Sequence, residues 1–317
     1  MRGDAAIGSV ACSTMTAASQ RKVIAVASNK GGVGKTTVAT NLAIALRALH
    51  EDLPILLVTL DDQTIVERMF RVGEAKPGAR TLRDAFAQRS FAGVAELGQF
   101  GVHFVPAASD LEALKARAAE PLTLRRMLEA SGWSGLVVLD TKSDLEALTR
   151  SALAACDLAI FPVADRASLE EAEKAFELLG SAGGNAARGR VLFTLVDRRT
   201  KLDAEGRDLY ERLAEQAEAR GWPRFAAYLS RSPRVEAINS AAARPRSILH
   251  EAKGTLAHKQ LREVAEEVSK LLALGEGAAP RESANTAPPQ SPRRDEPAPR
   301  DFAAGLRSAL FRGLRGR

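Results

Sequence analysis

The chain is 317 residues long, 45% hydrophobic and 26% charged, which is enough to bury one large or two modest cores. Aromatics at 5% argue against a stacking platform for single-stranded nucleic acid, and the two cysteines, Cys12 and Cys156, have no metal-like or disulfide spacing and point to a reducing cytosol. No apolar run is long enough to span a membrane and the start has no leader pattern, while the formal net charge of +6 points to an anionic partner (DNA or a lipid surface) or to an arginine-rich genomic bias.

Residues 1–20 are small and polar without periodicity and read as a disordered tail; Met15, just before the first strand, is an alternative start to Met1. The apolar run Val23-Ile24-Ala25-Val26-Ala27 predicts a buried strand, and Lys30-Gly31-Gly32-Val33-Gly34-Lys35-Thr36-Thr37 follows it, leading into a helical pattern over 37–49. Strand, glycine-rich turn and helix make a phosphate-binding loop, in which main-chain N–H groups and the helix N-terminus form a concave anion site. Glycines allow close approach to phosphate oxygens and φ > 0. Lys35 is placed to reach the β- and γ-phosphates of a nucleotide, and Thr36 to put its hydroxyl on Mg²⁺.

The ordinary G-x-x-x-x-G-K-[ST] pattern fails at its first glycine, where Asn29 stands; the variant K-G-G-x-G-K-[ST] is matched instead, with Lys30 in front. That variant resembles the deviant Walker A loop of the ParA/MinD family of partition and positioning ATPases. The resemblance implies ATP and Mg²⁺ as cofactors, with the loop residues Gly31, Gly32, Val33, Gly34, Lys35, Thr36 and Thr37 around the nucleotide. It also implies that Lys30 crosses to the ATP of a partner subunit, so that nucleotide binding and homodimerisation are one event.

Further apolar runs at 55–60, 102–106, 136–139, 158–163 and 191–196 alternate with helical patterns at 122–130, 168–179, 204–219 and 258–274. Most runs are continuous rather than alternating, as in strands covered on both faces, so the expected fold is α/β: a mostly parallel twisted sheet with helices on both faces, over 21–274. The strand at 136–139 ends in Asp140, the position of a Walker B acid, a metal ligand together with Thr36.

The run 54–63 resembles the family's switch I, D-x-D-P-Q. Aligned on Gln63, Asp61 takes the place of the acid that orients the attacking water, while Thr59 replaces the first Asp and Asp62 the Pro. Where the family writes D-x-P-P in switch II, the chain has Asp140-Thr141-Lys142-Ser143; Lys142 faces either the γ-phosphate or solvent. The stretch 151–163 resembles the family's N-A-L-x-A-A-D-x-x-I-P-V. Residues 194–200, with Asp197, resemble the loop over the adenine. No helix-turn-helix precedes the loop, as in the short form of these proteins.

The family's non-specific DNA binding implies a basic face, for which Arg220, Arg224, Arg231, Arg234, Arg244 and Arg246 are the candidates. Residues 275–300, rich in Pro, Ala, Arg and Glu, read as a disordered linker. At 301–317, Phe302, Leu306, Leu310 and Leu314 share one helical stripe with arginines around it, an amphipathic basic helix. It fits a MinD-like membrane anchor, a protein-docking peptide or no defined role.

The function that the resemblance implies is slow, partner-stimulated ATP hydrolysis that positions or segregates DNA or a protein complex. A ParB-like or other adaptor would stimulate it, in a cytoplasmic, nucleoid-associated or peripheral-membrane setting. The alternatives are a membrane-associated positioning ATPase and an ATP-locked scaffold with little hydrolysis. A tyrosine autokinase would need a tyrosine cluster in its tail, and Tyr210 and Tyr228 lie in the core; an iron–sulfur carrier would need paired cysteines, and Cys156 has no neighbour.

Overall fold

A computed structural model describes residues 21–275 except 62–64, 76, 109, 182–184, 200–203 and 241–245, and for Asn239 and Ser240 the backbone alone. Both tails, Asp62, Gln63 and Arg244 thus lie outside the described residues. The strands are β1 (Lys22–Val26), β2 (Ile55–Leu60), β3 (Glu96–Leu97), β4 (His103–Val105), β5 (Leu136–Thr141), β6 (Leu158–Val163) and β7 (Gly189–Phe193). The helices are α1 (Lys35–Leu49), α2 (Ile65–Phe70), α3 (Leu82–Gln88), α4 (Leu111–Arg117), α5 (Thr123–Ala130), α6 (Ala147–Ala155), α7 (Arg166–Ser181), α8 (Leu209–Ala219), α9 (Pro233–Ser240), α10 (Ile248–Glu251) and α11 (Leu256–Leu271).

The strands form one sheet in the order β3-β4-β2-β5-β1-β6-β7, parallel throughout except for the antiparallel edge pair β3–β4. Alternate strand residues feed opposite cores. Val23, Ala25, Leu56 and Val58 pack with α3 to α8, whereas Ile24, Val26, Ile55 and Leu57 pack with α1, α2 and α9 to α11. Burial on both faces explains the continuous apolar runs, because neither set of side chains meets water. The expected fold class is therefore the observed one.

Differences from the sequence-based expectation are local. The short strand β3 is not foreseen, since two residues carry no periodic signal. The helix expected from 204 starts at Leu209, where Asp208 accepts from the N–H of Glu211 (2.9 Å) and Glu211 from that of Asp208 (2.8 Å), a capping box that fixes the first turn. The run 191–196 leaves the sheet after Phe193, and Leu195 turns to φ +54°. Among the described residues no helix is long and apolar enough to cross a membrane.

Candidate nucleotide site

The order of the sheet places β1 between β5 and β6, so the loop after β1 is flanked by the C-terminal ends of both neighbours. Gly32 (φ +77°) and Gly34 (φ +88°) lie in the left-handed region, and a Cβ at either position would meet nothing within 4 Å, so torsion rather than crowding requires glycine there. Gly34 is the N-cap of α1; it offers no side chain to the first-turn amides, and that turn holds no acid. Those N–H groups and the positive end of a 15-residue helix make a place that favours an anion.

Lys35 is 6% exposed, and its ammonium donates to the Lys30 carbonyl (2.9 Å) and to Ser143 Oγ (2.6 Å). Burial lowers its pKa against the opposing charges of Asp140, Asp61 and Asp144. Asp140 stands opposite Val26 of β1 and Thr59 of β2 and is completely buried. Burial pushes its carboxyl up to about 7, and the charge of Asp61 adds to this, against a hydrogen bond from Thr36, the charge of Lys35 and a hydrogen bond from Thr59. The Thr59 bond to Oδ2 is long, at 3.5 Å, and Oδ1 has no hydrogen-bond partner in the chain.

A buried carboxylate oxygen without a donor is costly unless a cation takes it. Among the described residues no three His, Cys, Asp or Glu gather to hold a metal. A cation at Thr36 and Asp140 would therefore complete its shell with phosphate and water oxygens, as Mg²⁺ does beside nucleotides. The donor set fits Mg²⁺. Asp61, just past β2, is 6% exposed and close enough to Asp140 to act on it electrostatically.

Lys30 sits at the rim, and its ammonium pairs with Asp165 Oδ2 of the same chain at 2.6 Å. Asp165 follows β6 and also accepts from the Ser168 N–H (2.8 Å), which caps α7; burial pushes its carboxyl up, but the bonds from Lys30 and Ser168 outweigh this and lower it. Beside it, Asn29 donates to Glu171 on α7 at 2.5 Å. On the other flank, Thr194 Oγ1 donates to the Val33 carbonyl at 2.8 Å, which ties the segment after β7 to the loop. Asp197 lies three residues on, and hydrogen bonds from Arg199 hold its carboxyl well below the usual range.

The candidate site residues Lys30 to Thr37, Asp61 and Asp140 thus come from one end of the sheet. Asp165 escapes the sequence-based reading, and Ser143 and Thr194 lie in its switch II and adenine-loop stretches without a role of their own. Asp165 carries a usable signal, an acid at the C-terminal end of a strand adjacent to β1; the hydroxyls of Ser143 and Thr194 carry none. The basic candidates are engaged within the chain: Arg224 with Glu218 (2.6 Å), Arg231 with Glu236 (2.9 Å) and Arg246 with Glu251 (3.2 Å). Arg220 lies over the Trp222 ring and Arg234 donates to the Glu251 carbonyl.

Fold and loop define a P-loop nucleotide-binding α/β protein. A family model for an AAA domain, AAA_31, matches residues 21–174. The chain is 36% identical over 203 residues to the chromosome-partitioning ATPase Soj of Thermus thermophilus, covering 62% of this chain and 74% of Soj. It therefore belongs to the ParA/MinD family of P-loop partition ATPases.

Two solved structures share the fold at low identity. A putative plasmid partition protein of Borrelia burgdorferi bound to AMPPNP superposes with TM-score 0.61 and 16% identity, over 79% of this chain and 99% of that one. Cobyrinic acid a,c-diamide synthase of Mycobacterium smegmatis, with bound ATP analog and magnesium, gives TM-score 0.62 and 20% identity over 81% and 97%.

Proposed function

We propose that this chain is an ATP-dependent dimerising ATPase that positions or segregates cargo, plasmid or chromosomal DNA or a protein complex, through ATP-gated non-specific DNA binding. One observation carries the nucleotide part of this reading. Asp140, whose buried Oδ1 has no hydrogen-bond partner, takes a hydrogen bond from Thr36 through its carboxyl group, at the foot of an uncapped helix N-terminus that also carries the Lys35 ammonium. Thr36 and Asp140 would hold Mg²⁺, which supplies charge neutralisation for the phosphate oxygens when bound.

The amides of 31–37 bind the phosphates, and Lys35 exchanges its contacts with Ser143 and the Lys30 carbonyl for phosphate oxygens. Asp61 orients the attacking water. Lys30 leaves Asp165 and reaches the terminal phosphate held by a second copy, and Asp197 stands in the loop over the adenine. The relatives' functions support the cargo part: Soj is named for chromosome partitioning and the Borrelia protein for plasmid partition.

The arginines of the DNA reading act after dimerisation sets two copies side by side, exchanging intramolecular carboxylates for phosphates. The test is ATP turnover and retention on non-specific DNA, each with and without ATP: turnover raised by DNA or an adaptor, and retention only with ATP, are expected. A scaffold that binds ATP and barely hydrolyses it is the second reading, favoured by Thr59, which puts a hydroxyl where the family resemblance places a carboxylate. Turnover below detection under every condition selects it.

A further inference from the structure

Switch II of this chain lacks the two prolines of its family resemblance, and the structure holds the segment another way. Lys115 of α4, outside the nucleotide loop, reaches three carboxylates: Glu112 at 2.8 Å, Asp144 at 3.8 Å and Glu146 in a shorter contact. Its side chain is 16% exposed although a lysine so near the surface ordinarily extends into water. Asp144 in turn accepts from the Glu146 N–H (3.1 Å) and the Thr149 hydroxyl (3.3 Å), which tie the segment to the start of α6. One residue before Asp144 stands Ser143, whose Oγ takes the Lys35 ammonium at 2.6 Å.

Asp144 therefore lies in the field of two lysines. Lys35 feels its charge, and so does Lys115. A phosphate entering the loop takes the Lys35 ammonium from Ser143 and the Lys30 carbonyl, and an Asp144 released from α4 would compete for it.

We propose that Lys115 is a positioning residue for nucleotide binding: by holding Asp144 and Glu146 against α4 it keeps Asp144 from capturing the Lys35 ammonium and fixes Ser143 beside it. An ion-pair clamp stands in for the rigidity that two prolines would give. It differs from prolines in being screened by salt, so the segment at 142–146 loosens as ionic strength rises. The proposal rests on the nucleotide-site reading above.

The test compares wild type, Lys115→Met, Lys115→Arg and the double variant Lys115→Met/Asp144→Asn. Methionine keeps the apolar stem and removes the charge. The Kd for a fluorescent, non-hydrolysable ATP analogue should rise about threefold to tenfold in Lys115→Met, stay near wild type in Lys115→Arg, and return toward wild type in the double variant. Removing the Asp144 charge alone also favours phosphate, so Asp144→Asn completes the cycle: competition by Asp144 predicts that Lys115→Met costs less in the Asp144→Asn background than in wild type. An unchanged Kd in Lys115→Met, or an equal loss in both backgrounds, overturns the proposal.

A readout without nucleotide keeps the two readings separable. Amide hydrogen exchange over 142–146 should be faster in Lys115→Met than in wild type, and equal rates overturn the clamp. A wild type that binds no analogue while the exchange difference persists would instead remove the nucleotide reading.

Discussion

The Lys30 ammonium lies 2.6 Å from the Asp165 carboxylate, joining the front of the phosphate loop to the N-cap of α7 within one chain. Both side chains are partly exposed, at 35% and 45%, so the pair is screened and worth no more than about 1 kcal/mol. Lys30 is thus tethered weakly enough to change partner. Asp165→Asn keeps the cap, since Asn and Asp serve equally there, and removes the charge. It should leave the melting temperature within about a degree or two and tighten the ATP-dependent dimer by up to about fivefold, measured by analytical ultracentrifugation. A weakened dimer would show that the carboxylate acts in the assembled state.

Lys35→Ala should abolish nucleotide binding, measured by calorimetry with ATP and Mg²⁺. Lys35 is 6% exposed and opens α1, so its ammonium is held at the anion-accepting end of the helix, and alanine removes it. Gly34→Ala should fail in the same assay for a different reason, because φ +88° strains any residue with a Cβ by about 1–2 kcal/mol and shifts the first-turn amides.

The nucleotide-free protein should carry a pH signature of Asp140. Its carboxyl titrates at about 7 when folded, against an ordinary value of 3.8 in the unfolded chain. The unfolded chain ionises first, so this contribution is fully present below about pH 4 and is lost as pH rises to about 7, by at most about 4 kcal/mol at roughly 1.4 kcal/mol per unit. Asp140→Asn should remove that loss. The histidines His50, His103 and His258, which are half-buried, and His250, which is exposed, are all lowered by desolvation and give the opposite slope, destabilising the fold as pH falls below about 6.5. They are common to both proteins, so the difference between wild-type and Asn melts in EDTA isolates Asp140. A difference that does not grow between pH 5 and pH 8 would contradict the assignment.

Thr59→Asp restores the acid of the family pattern opposite Asp140. A further buried carboxylate near Asp61 and Asp140 should cost the apo protein about 1–3 kcal/mol and lower the Mg²⁺ concentration needed for ATP binding. Unfolding in urea and a magnesium titration of nucleotide binding give the two readouts. Unchanged magnesium demand would place Thr59 outside the metal's surroundings.

Retention on DNA should fall with salt by about 0.9 log unit per log salt for each phosphate contact. Arg231→Ala, which removes the pair with Glu236, should weaken binding on every sequence alike and reduce that slope by about one to two in a dimer. A slope near zero would exclude the arginine face.

Much of this was legible in the residues. Six of the seven strands came from continuous apolar runs, because a sheet buried on both faces writes itself as uninterrupted Val, Ile and Leu; β3, two residues at the edge, wrote nothing. The loop was legible because glycine at φ > 0 and lysine at a helix start leave a spacing in the chain. The contacts of Lys30 with Asp165, Lys35 with Ser143 and Val33 with Thr194 join residues more than a hundred positions apart, and only the sheet order brings them together. Lys115 is the extreme case, a surface-patterned lysine on α4 until Asp144 and Glu146 are folded against it.

The central claim is that nucleotide and dimer are one event through Lys30. Multi-angle light scattering of wild type and Lys30→Gln with saturating ATP and Mg²⁺ tests it most directly. Wild type is expected to be a dimer, and Lys30→Gln a monomer that still binds ATP. A wild type that stays monomeric with ATP bound, or a Lys30→Gln dimer as tight as wild type, would contradict it.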